Sequence, residues 1–316
     1  MPPTRSQSIY RRRRAVALAV LAALVVLPLL ALGAGGGGGG EQSGPERAEQ
    51  AERRKPAELP RGGRRIFPDF RVVAFYGAPQ DDELGELGIG PPARAARRLE
   101  RQARPYARKT RPVLPAMELI ATVAAADPGD DGLYRMRQPD AVIARYLRAA
   151  RKAKALLLLD IQPGHADFLA EAQHLERWLR EPDVGLALDP EWHTPGQQPG
   201  SVIGSVDSRT VNAVSEWLSR IVRANDLPEK LFVVHQFTPD MIEDKPLVKR
   251  RPGLAITMNV DGFGDRPNKR SKYDQFTDEA VRFHDGFKLF YREDVNLMAP
   301  RHVLRLTPPP DLVVYE

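Results

Sequence analysis

The sequence contains no cysteine, and only 7% of its residues are aromatic. Without cysteine, disulfides, zinc–thiolate sites, cysteine nucleophiles and a lipidated N-terminal cysteine are excluded. The chain also lacks a Gly-x-Ser-x-Gly elbow, a His-x-His or His-Glu-x-x-His run, and a glycine-rich fingerprint after its first apolar stretch. These absences argue against a nucleophilic serine, a common zinc motif and a dinucleotide site, so no cofactor and no bound metal are predicted.

The excess of basic residues is confined to the N-terminal part of the chain. Residues 1–66 contain 12 Lys and Arg against 5 Asp and Glu, whereas residues 67–316 contain 35 against 36. The net charge of +6 therefore comes from the N-terminal tail. Because nucleic-acid-binding domains present a basic surface, the sequence predicts no nucleic-acid partner for the main domain.

Residues 1–34 have the pattern of an export signal. Four arginines, Arg11 to Arg14, precede an apolar stretch from Ala15 to Gly33 that contains no charge. A basic segment before an apolar run is typical of a secretory signal, and this run is also just long enough to span a bilayer. Two interpretations stay open, a cleaved signal peptide and an N-terminal membrane anchor. Both predict an exported protein, either secreted or held at the membrane through this segment.

Residues 35–66 are predicted to be a disordered linker. Six consecutive glycines, Gly35 to Gly40, are followed by a charged segment rich in Glu, Arg, Ala, Pro and Gly. Glycine runs are flexible, and a segment with so few apolar residues has little to bury. The main domain is therefore expected to span residues 67–316.

In the main domain, apolar runs alternate with stretches that carry apolar residues at helical spacing. Helices are expected at 93–107, 139–152, 166–179, 208–224, 239–244 and 274–286, with one or two turns in 294–303. Strands are expected at 71–77, 112–123, 155–162, 184–192, 231–237, 254–262, 287–291 and 312–315. Eight strands separated by helices over about 250 residues predict an α/β fold, the (β/α)8 TIM-type barrel. An open doubly wound sheet is the alternative.

The fourth predicted strand shows why a barrel is favoured. Its bulky Leu186 and Leu188 point to one face, whereas Gly185, Ala187 and Asp189 point to the other. A strand that is buried on both sides and ends in acids is typical of a parallel barrel, whose active site lies at the C-terminal ends of the strands.

Polar residues recur at the ends of other predicted strands, where a barrel would bring them to one mouth. Segments 193–207 and 263–273 are expected to be the longest loops around that mouth and are candidate binding elements. The candidate catalytic residues are the acids Asp160, Asp189, Glu191 and Asp261. The candidate substrate-binding residues are Tyr76, Glu118, Gln162, Trp192, His235, Gln236 and Asn259, and Phe237 adds a further ring at a strand end.

Carboxylates without a nucleophile point to glycoside hydrolysis, which needs paired carboxyl groups, one of them with a raised pKa. Tyr76 and Trp192 would offer aromatic faces to sugar rings. A metal-dependent hydrolase that uses His235 with the neighbouring aspartates is an alternative. A barrel that binds glycan at the same mouth without catalysis is another.

Three short motifs resemble those of the chitinase-like glycoside hydrolases of family 18. Asp189-Pro190-Glu191 is similar to the Asp-x-Glu end of that family's fourth strand, and Met258-Asn259-Val260-Asp261 to the Met-x-Tyr-Asp of its sixth. Ala74-Phe75-Tyr76-Gly77 resembles its first strand. The resemblance implies that Glu191 is the general acid and that Asp189 orients the acetamido group of the substrate, which attacks the anomeric carbon.

The chain departs from that family at three matching positions. Gly185 and Ala187 stand where the fourth-strand motif has two earlier aspartates, and Val260 stands where the sixth has tyrosine. As a whole, the chain also resembles a family of exported actinobacterial proteins of unassigned function. The sequence therefore predicts an exported, glycoside-hydrolase-like barrel whose partner is a cell-envelope or extracellular polysaccharide or glycan.

Overall fold

Inward-facing and outward-facing residues alternate along the eight strands, and this divides the core of the domain into two apolar layers. The computed structural model describes residues 56–277 and 283–316. Small and aliphatic side chains at alternate positions, such as Ala74, Leu158 and Ala187, fill the inside of a barrel. The positions between them, such as Leu186 and Leu188, pack outward against helices. The face assignment that the sequence predicts for the fourth strand is confirmed.

The eight strands are all parallel and close on themselves, because β1 pairs with both β2 and β8. The (β/α)8 barrel predicted from the sequence is thereby confirmed, and the open sheet is wrong. The strands are β1 (Arg71–Gly77), β2 (Val113–Ala124), β3 (Leu156–Ile161), β4 (Val184–Leu188), β5 (Lys230–Gln236), β6 (Leu254–Val260), β7 (His284–Leu289) and β8 (Leu312–Tyr315).

Helices of unequal length cover the outside of the barrel. Three short strands also lie outside it, Arg135–Arg137 antiparallel to β2 and the pair Val206–Asp207 and Ile242–Glu243. The helices are α1 (Pro92–Ala103), α2 (Asp140–Lys152), α3 (Phe168–His174), α4 (Glu176–Leu179), α5 (Ser208–Ala224), α6 (Arg266–Thr277) and α7 (Pro300–Val303). Single 3-10 turns are formed by Asp82–Leu84, Glu86–Gly88, Arg104–Tyr106, Pro190–Trp192 and Lys245–Leu247.

The sequence misplaces elements near β5 and β7. A helix was expected at 239–244, but Ile242 pairs with Val206 in a short strand, a long-range contact that local spacing does not show. The polar segment 263–273 was expected to be a loop, yet most of it forms α6. Of the helix expected at 274–286, residues 274–277 belong to α6 and 278–282 lie outside the described residues, whereas β7 begins at His284 rather than at 287.

The N-terminal boundary also differs from the expected one at residue 67. Leu59 and Ile66, within the predicted linker, are 3% and 0% exposed. Arg64 donates to Asp226 Oδ1 at 2.7 Å, which attaches this segment to the loop before β5. The predicted export segment, residues 1–34, and most of the predicted linker lie outside the described residues. Of the helices within residues 56–277 and 283–316, none is long and apolar enough to cross a membrane.

Candidate active site

A layer of polar side chains occupies the inside of the barrel at the C-terminal ends of its strands. Seven of the eight strands place one or two of them there, because inward-facing positions recur every second residue. Below this layer the inward positions are small or apolar apart from Thr257, and every member of the layer is buried. The layer contains Tyr76 (β1), Glu118 (β2), Asp160 and Gln162 (β3 and its end), Asp189 (after β4), His235 (β5), Asn259 and Asp261 (β6 and its end) and Lys288 (β7).

His235 lies at the centre of this layer, with a carboxylate on each ring nitrogen. Its Nδ1 is 2.9 Å from Asp261 Oδ2, and its Nε2 is 3.1 Å from Glu118 Oε1. Burial opposes a charge on the ring, but the hydrogen bonds that Asp261 and Glu118 accept from it outweigh burial and raise the pKa of His235 well above its ordinary value. A protonated ring donates to both acids, and Asn259 Nδ2 also lies 3.2 Å from Nδ1.

Lys288 supplies the second buried cation. Its Nζ is 3.0 Å from Asp261 Oδ2 and 2.8 Å from Glu316 Oε2, and it lies 3.8 Å from the centre of the Tyr76 ring. Burial favours the neutral form of Asp261, but the charge of Lys288 and the hydrogen bond from His235 hold the pKa of this carboxyl far below its usual range. Asp261 also accepts from the backbone N of Gly262 at 2.7 Å, so it is a fixed anion with its oxygens occupied.

On the opposite side of the layer, one hydroxyl connects two aspartates. Tyr76 Oη is 3.0 Å from Asp160 Oδ2 and 3.4 Å from Asp189 Oδ2, and Gln162 Nε2 donates to it at 2.9 Å. Burial raises the pKa of Asp160 to about 6. Burial, together with the charges of Asp160 and Glu191, raises the pKa of Asp189 well above its ordinary value. Two acids in one layer, Asp189 and Asp261, thus have pKa values shifted in opposite directions.

A cavity of about 80 Å³ opens above this layer at the barrel mouth. Glu191 reaches it from the 3-10 turn that follows Asp189, and is more exposed than Asp189, which is 4% exposed. Aromatic rings form much of the wall, and carboxylates supply most of its charge. The rings are Tyr76, Trp192, Phe237, Phe263 and Phe290, and the charged groups are Glu83, Asp189, Glu191, Asp261, Lys288 and Glu316.

Most residues that the sequence singles out belong to this cavity or to the buried network under it. Gln236 lies apart from both: its amide oxygen accepts from Lys245 Nζ at 2.6 Å. Tyr76, Gln162, Asp189, Glu191, Trp192 and Asp261 line the cavity. Glu118, Asp160, His235 and Asn259 lie in the buried network.

Sequence reasoning missed Lys288 and Glu316. The seventh strand was expected to begin at residue 287. Gly286 and Lys288, which share its inward face, were therefore not recognised as a pair of inward positions. A charged residue in an apolar strand was the available signal, since a lysine buried there needs a partner. Glu316 gave no local signal, because it enters the site only through closure of the barrel by β8.

One group of side chains has the composition of a metal site. Within the described chain, Glu118, Asp160 and His235 each offer a ligand atom within 4.8 Å of the others. Two carboxylates and an imidazole suit zinc or manganese. Glu118 Oε2 and Asp160 Oδ1 are buried without a hydrogen-bond partner, so these residues fit a buried cation as well as an ion-pair network. The three residues do not line the cavity.

Comparison of the chain with protein-family models gives no match, and comparison with curated proteins gives none of significant similarity.

Proposed function

We propose that this protein is a glycoside-hydrolase-like enzyme that cleaves a polysaccharide or glycan by carboxylate acid–base catalysis at the barrel mouth. The observation that carries the proposal is the pairing, in one cavity, of Asp189, whose pKa is raised, with Asp261, whose pKa is lowered. Environments that push the pKa values of neighbouring acids apart are how glycosidases keep one acid protonated and another ionised at one pH.

Asp189 carries the proton in this proposal. Its burial, and the negative charges of Asp160 and Glu191 beside it, favour the neutral acid that must protonate the glycosidic oxygen. Glu191, the more exposed acid in the cavity, is then the base or nucleophile that reaches the sugar. This division reverses the roles implied by the family resemblance, in which Glu191 is the acid and Asp189 orients the substrate.

Asp261 and Lys288 complete the electrostatics of the cavity. Asp261 is held as an anion by His235 and Lys288, whose charges offset its own, so it orients these two groups beside the cavity. Rings such as Trp192 and Phe237 provide flat apolar faces of the kind on which sugars stack. The N-terminal pattern of residues 1–34 supports a substrate outside the cytoplasm, in the cell envelope or beyond it.

The test is hydrolysis by purified protein on a panel of polysaccharides and chromogenic glycosides, followed by single substitutions. Glu191→Gln and Asp189→Asn are each expected to lower the rate by about 10²- to 10⁴-fold, the usual contribution of an acid–base group, while glycan binding is retained. Glu176→Gln, a change of the same type on the outer helix α4, is the matched control and should leave the rate unchanged.

The pH profile separates this proposal from the alternatives. Activity needs Asp189 protonated, so the rate should fall as pH rises through the raised pKa of Asp189. Glycan binding by a wild-type protein that turns over nothing on the panel would favour the non-catalytic barrel. Activity that is lost on chelation and restored by a divalent metal would favour the metal-dependent hydrolase.

A further inference from the structure

Two carboxylate oxygens of the buried layer have no hydrogen-bond partner within residues 56–277 and 283–316. They are Glu118 Oε2 and Asp160 Oδ1, and both belong to side chains that are 0% exposed. The other oxygen of each group is occupied: Glu118 Oε1 lies 3.1 Å from His235 Nε2, and Asp160 Oδ2 accepts from Tyr76 Oη at 3.0 Å. A carboxylate that is taken out of water needs a donor or a cation in place of its hydration shell.

We propose that Glu118, Asp160 and His235 form a buried binding site for one divalent transition-metal ion such as zinc. Its ligands would be Nε2 of His235 and one oxygen of each carboxylate. The proposal goes beyond the proposed function and does not depend on it, because none of the three residues lines the cavity.

The three side chains are spaced as the ligands of one ion. Each offers an atom within 4.8 Å of the others, and His235 Nε2 lies 3.1 Å from Glu118 Oε1 and 4.0 Å from Asp160 Oδ1. Zinc bonds of about 2.0–2.2 Å at tetrahedral angles hold neighbouring ligand atoms about 3.3–3.6 Å apart. The two separations lie on either side of this range, so small side-chain movements would close the site around an ion.

The chemistry of the donors favours a transition metal over calcium or magnesium. Calcium and magnesium take oxygen ligands, whereas an imidazole suits zinc and its neighbours in the first transition row. Two carboxylates offset the charge of a divalent ion when His235 is neutral. The metal replaces the proton that Nε2 carries in the ion-pair network, and this proton is released to solvent on binding.

Neighbouring groups hold two of the ligands in place. Nδ1 of His235 is 2.9 Å from Asp261 Oδ2, so a proton on Nδ1 is directed to Asp261 and the lone pair of Nε2 is presented to the ion. Lys288 in turn fixes Asp261 at 3.0 Å, and Tyr76 donates to Asp160. A carboxylate behind the histidine ligand is the usual outer shell of a zinc site.

No local motif marks this site, because its ligands lie on three different strands. Glu118 is on β2, Asp160 on β3 and His235 on β5. The common zinc motifs place two ligands on one short segment, whereas here only closure of the barrel brings the three side chains together.

The experiment is a calorimetric titration of the full chain with zinc, after removal of metal with EDTA and without a polyhistidine tag. The wild type should bind one equivalent. Glu118→Gln and Asp160→Asn should each weaken binding by about 100-fold or more, because changes in the outer shell alone cost about 10- to 100-fold. Asp261→Asn, which alters the outer shell, should fall in that smaller range. Magnesium should bind far more weakly than zinc.

Glu171→Gln is the matched control. Glu171 is a buried glutamate, 1% exposed, whose oxygens are held by Arg135 and Arg137. This variant should keep the wild-type affinity for zinc. A wild type that binds no zinc would overturn the proposal. Unchanged zinc affinity in a folded Glu118→Gln or Asp160→Asn protein would do so as well, and so would magnesium binding as tight as that of zinc.

X-ray absorption by the zinc-loaded wild type tests the site without any variant. The spectrum should show one imidazole and bonds of about 2.0–2.2 Å. A ligand shell with no imidazole, or with several, would place the ion elsewhere and contradict the proposal. None of these measurements uses activity. A protein that binds zinc here but hydrolyses no glycan therefore refutes the proposed function alone, and one that hydrolyses glycan without binding zinc refutes the metal site alone.

Discussion

Two buried lysines, one at each end of the barrel, differ in the groups that surround their amines. Lys288, near the C-terminal end of β7, faces inward and bridges Asp261 and Glu316. Lys230 begins β5 at the opposite end and donates to the backbone oxygens of Glu181 and Val184, both at 2.7 Å. The two side chains are about equally buried, at 3% and 2% exposure.

The pKa values of the two lysines shift in opposite directions. Around Lys288 the charges of Asp261 and Glu316 outweigh burial and raise its pKa well above the ordinary value. Around Lys230 burial dominates and lowers its pKa from 10.5 to about 7. A neutral amine still has two N–H donors, which is the number that the two carbonyls accept. Charge is therefore favoured at the mouth, where the cavity lies, and disfavoured at the opposite end of the barrel.

The largest effect is expected from removing the cation at the mouth. Lys288→Met leaves Asp261 and Glu316 without their shared partner, and breaking a buried ion pair in this way costs about 3–5 kcal/mol. The free energy of unfolding in urea at pH 7 should fall by that amount. A loss below about 1 kcal/mol would mean that Lys288 is not the charge that balances these acids.

A smaller effect is expected at the other end. Lys230→Met removes two donors from backbone carbonyls, which costs about 1–2 kcal/mol when Lys230 is already neutral, near pH 10. Between pH 7 and 10.5 the unfolded chain binds a proton at Lys230 that the folded chain does not. The stability of the wild type should therefore rise with pH through this window, relative to the variant, by up to about 1.4 kcal/mol per unit.

Urea unfolding of both proteins at several pH values measures this difference. At pH 7 the variant should be as stable as the wild type or more so, and it should become the less stable protein as pH rises. If the free energies of unfolding of the two proteins changed with pH in parallel, Lys230 would be charged in the folded protein. It would then not differ from Lys288 in its protonation state.

The smallest effect sets the baseline for the comparison. Arg180 pairs with Glu176 on the surface, where the two side chains are 59% and 37% exposed. Water and salt screen such a pair, so Arg180→Ala should change the free energy of unfolding by less than about 0.5 kcal/mol. A change as large as that for Lys230→Met would mean that burial is not what separates the two classes of cation.

The sequence predicts the barrel well because its main signal is local. Alternation of small and bulky residues marks each strand and its inward face, and Gly185 shows how tightly that face is filled. A Cβ there would lie 2.5 Å from Leu158 Cδ2 and 2.6 Å from the Leu231 oxygen. The aspartate that the family motif has at this position would have no room in this barrel.

The parts that sequence reasoning misplaces depend on distant partners. Segment 263–273 looks like a solvated loop because it is rich in charge, yet Lys269 is buried in α6, with its Nζ 3.0 Å from Asp294 Oδ1. The strand ends supplied the candidate acids, but not their protonation. That property follows from the identity of their neighbours across the barrel, such as Tyr76 for Asp160 and Asp189, and Lys288 for Asp261.

The closing strand has a practical consequence for handling this protein. Glu316 follows β8 directly, its side chain holds Lys288, and its backbone pairs with Leu289 and Tyr291. Any residues added after Glu316 would leave the domain at the rim of the cavity, where an affinity tag would compete with substrate and disturb the carboxylate on Lys288. A purification tag that follows Glu316 should therefore be removed before substrate binding is measured.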